Sequence, residues 1–310
     1  MAPSKSDPTL WPSLPYQEWS STCETVHMWT QIVGKLKLEL CAPENHWWHV
    51  ALYVTPLGLT TGPIPYETFT FQVEFDFSCH QLRIVTSAAK AEIITLEPKS
   101  VRKFYLEVME ALGRLNIKIR IDTLPREVPH PIRFEEDIVH SSYDKVAMEK
   151  FRTILNQCDR AFREFRGRFC GKSSPVHFFW GGFDLAETRF TGKVKEIQNA
   201  DGNATTFAEE HSVGFWPGSE FYPTAGFYAY ALPPPVGYYQ SSIDPEGARY
   251  DETLGEFVLD YEAVRTLPDP YQAIIAFAQS TYEAAANLGN WDRSNLEKVI
   301  LERIPSVVNR

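Results

Sequence analysis

His177-Phe-Phe-Trp-Gly-Gly-Phe-Asp-Leu185-Ala-Glu-Thr188 echoes an earlier stretch, His49-Val-Ala-Leu-Tyr-Val-Thr-Pro-Leu57-Gly-Leu-Thr60. Both read His, seven residues, Leu, two residues, Thr. A second pair follows the same logic, since Leu96-Glu-Pro-Lys-Ser-Val101-Arg102 is matched by Leu259-Asp-Tyr-Glu-Ala-Val264-Arg265. The echo predicts a chain made of two related halves. It places the His49 and His177 segments on equivalent strands, and likewise the Leu96 and Leu259 segments.

Working outward, each half reads helix, several strands, helix. Tyr16, Trp19, Cys23, Val26, Trp29 and Val33 recur at helical spacing. Strand-like runs follow at 47–55, 69–77, 81–87 and 91–96. In the second of these, Phe69, Phe71, Val73, Phe75 and Phe77 alternate with Thr, Gln, Glu and Asp, the period-two mark of a strand with one buried face. A helix over 100–115 closes the first half. The prolines and charges of 122–140 read as a linker. The second half opens on a helix whose apolar face carries Val146, Phe151, Ile154, Leu155, Cys158, Phe162 and Phe165, with Ser142 or Asp144 as cap. The Arg residues at 152, 160, 163, 166 and 168 form its wet side. Strands are expected at 176–184, 212–216, 226–232 and 256–259. A last helix begins at Asp269-Pro270, a cap followed by proline in the first turn. The expected architecture is α+β, with two pseudo-symmetric halves, each a mostly antiparallel sheet with packed helices. The halves span 11–121 and 141–310 after a loose 1–10. Two inserted loops, 193–210 and 233–253, are expected in the second half.

Composition narrows the functional classes. A formal net charge of −10 disfavours a nucleic-acid binder and charge-driven membrane binding. The five cysteines are scattered and form no CxxC pair, so neither a disulfide framework nor a thiolate zinc site is expected. The first residues contain no apolar run of a signal peptide, and the expected location is soluble and cytoplasmic. Gly171-Lys172-Ser173 lacks the upstream glycine of a phosphate-binding loop, because position 166 is Arg.

Several runs together resemble the family of domain of unknown function 5996. They are Trp11-Pro-Ser-Leu-Pro-Tyr-Gln-Glu-Trp19, the stretch from Ser174 through Gly192, His211-Ser-Val-Gly-Phe-Trp-Pro-Gly218, and Ser280-Thr-Tyr-Glu-Ala-Ala-Ala286. The resemblance spans nearly the whole chain and brings no activity, substrate or catalytic residue with it.

The chemistry must then be read from the residues. His177, Asp184, Glu187 and Arg189 form the densest polar cluster. His177 can exchange a proton, Asp184 can orient it or act as base, and Arg189 can clamp an anion. Strand parity puts Arg189 and Glu187 on one face with His177, and Asp184 on the other unless the Gly181-Gly182 pair bends the chain. The competing interpretation is structural, with His177 and Arg189 as satisfied core groups. Glu209-Glu210-His211 before Gly214-Phe-Trp-Pro-Gly218 suits a pocket rim. His177, His211, Glu210 and Asp184 together have the donors of a divalent metal site. The expectation is a pocket in the second half with His177, Asp184 and His211 as catalytic residues. Arg189, Trp180, Trp216 and Glu210 would bind a small polar or anionic metabolite by acid–base or hydrolytic chemistry. The alternative is a non-catalytic binding protein with an aromatic-lined cavity. A scaffold role comes third.

Overall fold

The computed structural model describes residues 7–198 and 204–297. The first half begins with helix α1 (Tyr16–Leu40) and a kinked 3-10 segment, Asn45–Val50. Strands β1 (Tyr53–Thr55), β2 (Gly58–Thr60), β3 (Ile64–Tyr66), β4 (Phe69–Asp76), β5 (Gln81–Thr86) and β6 (Ala91–Thr95) form an antiparallel sheet. Its order is β1-β2-β4-β5-β6, with β3 also on β4. Helix α2 (Val101–Arg114) covers it, capped by the Ser100 side chain. Phe71, Val73 and Phe75 of β4 face inward, as the alternation requires, while Arg83 and Val85 of β5 face out.

The second half opens with α3 (Lys145–Gly167), whose first amides are capped by Asp144. Its sheet contains β7 (His177–Phe179), β8 (Asp184–Gln198), β9 (Ala204–Trp216), β10 (Gly226–Leu232), β11 (Arg249–Asp251) and β12 (Glu256–Asp260) in the order β11-β12-β10-β9-β8-β7. A one-turn helix α4 (Tyr261–Val264), α5 (Pro270–Leu288) and α6 (Arg293–Leu296) follow. Helices α3 and α5 pack together and against one face of this sheet. The α+β class is therefore as expected.

Three details differ. The two echoes do not fall on equivalent strands. His49 lies within a 3-10 segment while His177 starts β7, and Leu96 follows β6 while Leu259 lies inside β12. Sequence spacing was kept, but the hairpin turns fall at different offsets within it. The expected loops are also partly regular. Residues 193–198 and 204–210 extend the β8–β9 hairpin, and 233–253 contributes a 3-10 turn and β11. Val146 is 62 % exposed rather than on the buried face of α3, since that stripe runs through Ala147, Met148 and Phe151 and passes beside position 146.

Helix α1 is buried on nearly every side, which is why its apolar residues alone do not define one face. The 122–140 segment has no strand or helix, yet it is packed down on α1. Gln31 bonds the backbone of Arg126 in both directions, and Lys35 donates to the Leu124 carbonyl. Trp180 closes the other side. Its ring lies where a side chain at Gly34 would be, 2.2 Å from a hypothetical Cβ, so only glycine admits it. Its indole N–H donates to the Val50 carbonyl at 2.9 Å. The two sheets meet through a backbone pair, Leu52 with Phe178, in both directions at 2.9 and 2.8 Å.

Phe151, Ile154 and Phe162 of α3 are fully or almost fully buried. Truncating any one to Ala should cost roughly 2–5 kcal/mol in chemical denaturation, whereas Val146→Ala should stay within about 0.5 kcal/mol. Equal, small effects at all four positions would contradict this packing.

Candidate functional site

The second sheet has two unlike faces because its strands alternate. Leu185, Glu187 and Arg189 of β8 lie opposite Phe215, Val213 and His211 of β9, and this set faces α3 and α5. Asp184, Ala186, Thr188 and Phe190 belong to the other face, with Glu210 and Ser212 of β9 and Tyr228 and Tyr230 of β10. That second face floors a cavity of about 640 Å³. Its walls come from Leu38, the 46–50 segment, Arg126-Glu127 and the turn from Phe179 to Gly182.

Tyr228 shows how the floor is built. It lies in register with Gly214 and, one strand further, with Ala186. A Cβ on Gly214 would stand 2.3 Å from the Tyr228 ring, so the ring crosses over the glycine. The Tyr228 hydroxyl thereby reaches Asp184 and donates to its carboxylate. Trp216 stacks on the outer side of Tyr228 at 4.9 Å, with its N–H on the Thr224 carbonyl. Burial raises the Asp184 pKa to about 6. The Tyr228 hydrogen bond opposes that rise and the charge of Glu127 adds to it.

Glu127 comes from the segment read as a linker. Its Oε1 lies 2.6 Å from the point where a Gly181 Cβ would be. Asp184 Oδ1 and Glu127 Oε2 lie 2.7 and 3.9 Å from the corresponding point on Gly182. Two carboxylates thus close around a turn that tolerates no side chain. His27 holds this turn from beneath, its Nε2 2.9 and 2.8 Å from the Trp180 and Gly181 carbonyls. Burial draws the His27 pKa down to about 4, so the ring is neutral and Nε2–H donates. Three wall residues, His46, Trp47 and Glu127, hold left-handed backbone at φ of 59, 59 and 57°. Such conformations are costly for non-glycine residues and persist where surrounding structure enforces them.

The expected site residues separate. Asp184, Trp180 and Glu210 line the cavity. Trp216 only backs Tyr228. His177 is buried behind the wall against Trp48, Tyr53 and Phe179, with neither ring nitrogen hydrogen-bonded, and burial lowers its pKa to about 4. Arg189 and His211 do meet, but on the core face, away from Asp184. The Arg189 guanidinium lies 3.4 Å from the Phe165 ring centre and 4.4 Å from that of Tyr282, and it donates to the Phe165 carbonyl. Glu187 stands 3.9 Å from it, and His211 Nε2 is 3.2 Å from Thr281 Oγ1. Arg189 is therefore a structural cation and cannot clamp a ligand in the cavity. The same separation corrects the metal expectation, because His211 lies on the far face from Asp184 and Glu210. Among the described residues, no three His, Cys, Asp or Glu groups are placed to hold a metal ion.

Glu127, Tyr228 and Tyr230 were not expected at the site. Tyr228 and Tyr230 left a local signal, two polar aromatics alternating with Phe227 and Ala229. Glu127 left none, since only the chain's path over α1 brings it to the turn.

Tyr228→Phe should raise the Asp184 pKa above about 6, because it removes the bond that favours the carboxylate. A carboxyl carbon titration by NMR would show the shift, and an unchanged value would refute the contact. Burial raises Glu187, Glu210 and Glu256 to about 7 each. A carboxyl whose folded pKa is raised stabilises the fold at low pH and loses that contribution as pH climbs through the folded value. Below 6.5 the depressed His27, His177 and His211 act in the opposite sense. The melting temperature should therefore fall from pH 6.5 to 8, and Glu187→Gln should shrink that fall.

Neither the curated proteins nor the solved structures contain a match to this chain. A family model does match, over residues 11–298, and the cavity walls and both sheets lie within that span. The chain belongs to the family of unknown function DUF5996.

Proposed function

We propose that the cavity is the active site of an enzyme that performs acid–base chemistry on a small polar substrate. The observation that carries this reading is the carboxylate pair at the Gly181-Gly182 turn. Asp184 is held by Tyr228, faces Glu127, and has a pKa raised to about 6 at the wall of the cavity. A base with such a value is ionised at physiological pH yet accepts a proton readily. Asp184 is the general base. Tyr228, whose own pKa is raised well above its ordinary value, stays a neutral donor beside it. Glu127 orients the substrate and sustains the elevated Asp184 pKa. A polar rather than an anionic substrate fits, because Arg189 is on the other face and Arg126 is paired with Asp122 at 3.1 Å.

The partner is a small molecule rather than nucleic acid, in keeping with the net charge of −10. All five cysteines are free, which supports a reducing, cytoplasmic setting. No described helix is long and apolar enough to cross a membrane. A second reading, ligand binding without turnover, draws on the seven aromatic rings that line the cavity.

Incubation of the protein with a metabolite extract, followed by mass spectrometry, separates the two. An enzyme depletes a metabolite in excess of its own concentration, whereas a binder retains one stoichiometrically. Asp184→Asn should lower turnover by about 10²–10⁴-fold. The wild-type rate should fall as pH drops through about 6, where the base becomes protonated. Turnover unchanged in Asp184→Asn, with the fold intact, would remove Asp184 from the chemistry.

A further inference from the structure

The cavity floor is long. Asp184 and Phe190 are six residues apart on one strand, a span of about 20 Å at ordinary strand rise. Glu210 is paired with Phe190, so Glu210 and Asp184 stand at opposite ends. Glu127 joins Asp184 at the near end. Aromatic rings line the whole run, Phe179 and Trp180 at the Asp184 end, Tyr230 on the floor between, and Trp48 beside Phe190. The lining carboxylates outnumber the lining cations, and Arg126 is already engaged by Asp122.

The far end already displays the preference this creates. The ammonium of Lys172 sits 5.1 Å from the ring centre of Trp48 and 4.7 Å from that of Phe190, both cavity-wall residues. It is hydrogen-bonded at 3.2 Å to His46 Nε2, another wall residue, and its charge is felt by Glu210. Aromatic faces beside a carboxylate favour a cation through the ring quadrupole. Lys172 is itself exposed, so its ammonium can leave this notch for water without stranding a buried charge.

We propose that the cavity takes an elongated aliphatic polyamine, with one ammonium between Glu127 and Asp184, another at Glu210, and the chain along the aromatic walls. This specifies the substrate class of the site proposed above and rests on that reading. The methylene chain covers apolar ring surface, the two ends satisfy the carboxylates, and the far ammonium displaces that of Lys172. A short diamine reaches only one end. A neutral sugar leaves the carboxylate charges uncompensated.

Calorimetry with spermine, putrescine and maltotetraose tests this on the full-length protein. Spermine should bind more tightly than putrescine, and maltotetraose should not compete. Glu210→Gln should weaken spermine about tenfold or more while leaving putrescine unchanged. Asp184→Asn should weaken both amines, and Lys172→Met should tighten spermine by removing the competing ammonium. Spermine binding indifferent to both carboxylate variants would mean attraction to the acidic surface alone, and the proposal would fall. Binding of maltotetraose instead, with dependence on Asp184, would overturn the amine class and keep the site. If no probe binds and metabolite turnover is also indifferent to Asp184→Asn, the site itself is refuted.

Discussion

The pair of backbone hydrogen bonds between Leu52 and Phe178 is the constraint on which the site depends. It ties a residue just before the first sheet to a strand at the edge of the second. Once that pairing is made, the 46–50 segment must hang over the second sheet, and the cavity acquires a roof. Trp180, two residues beyond Phe178, is then delivered into the notch at Gly34 and onto the Val50 carbonyl. Backbone pairing sets the position to within a hydrogen bond, and the indole fixes the orientation. The same tryptophan begins the turn that carries Gly181, Gly182 and Asp184.

A sheet with helices on one face and a cavity on the other divides polar residues into two populations. On the helix side, Glu187, Arg189 and His211 are buried among Phe165, Tyr282 and Thr281. An arginine there is stabilised by ring faces, a carbonyl and one carboxylate. Removing any partner would leave a charge without compensation, a costly state in a low-dielectric interior. On the cavity side, Asp184 and Glu210 are surrounded by rings and hydroxyls but lack a cation in contact. Burial raises both carboxyls, Asp184 to about 6 and Glu210 to about 7, the latter against the opposing charge of exposed Lys172. The two populations differ in whether the protein supplies its own partner.

Small residues do much of the positioning. Gly214 lets the Tyr228 ring cross a strand, Gly34 admits Trp180, and Gly181 and Gly182 let two carboxylates close on the backbone. Each marks a close approach that any side chain would block.

The α+β class, the long helices with their Asp144 and Asp269 caps, and the alternating strand at 69–76 were legible in the sequence. These follow from local periodicity and capping chemistry, which act over a few residues. Asp184, Trp180 and Glu210, singled out from local polar and aromatic runs, line the cavity. The grouping of Asp184 with Arg189 and His211 was not correct, because the glycine pair lies in the turn before β8 and leaves that strand's alternation intact, which keeps Asp184 and Arg189 on opposite faces. A four-residue turn pairs Phe179 with Asp184, so odd positions on β7 share a face with even positions on β8. Parity counted straight through the turn therefore misplaces His177, which pairs with Ala186 and not on the face of Glu187 and Arg189. Glu127 and the Leu52–Phe178 pair were invisible for a related reason, since contacts between distant segments leave no periodic trace. The sequence alone determined the long helices, where they start, and the α+β class. The tertiary structure alone decided which polar groups share a face, because that depends on strand register and on how a segment without regular structure wraps the central helix.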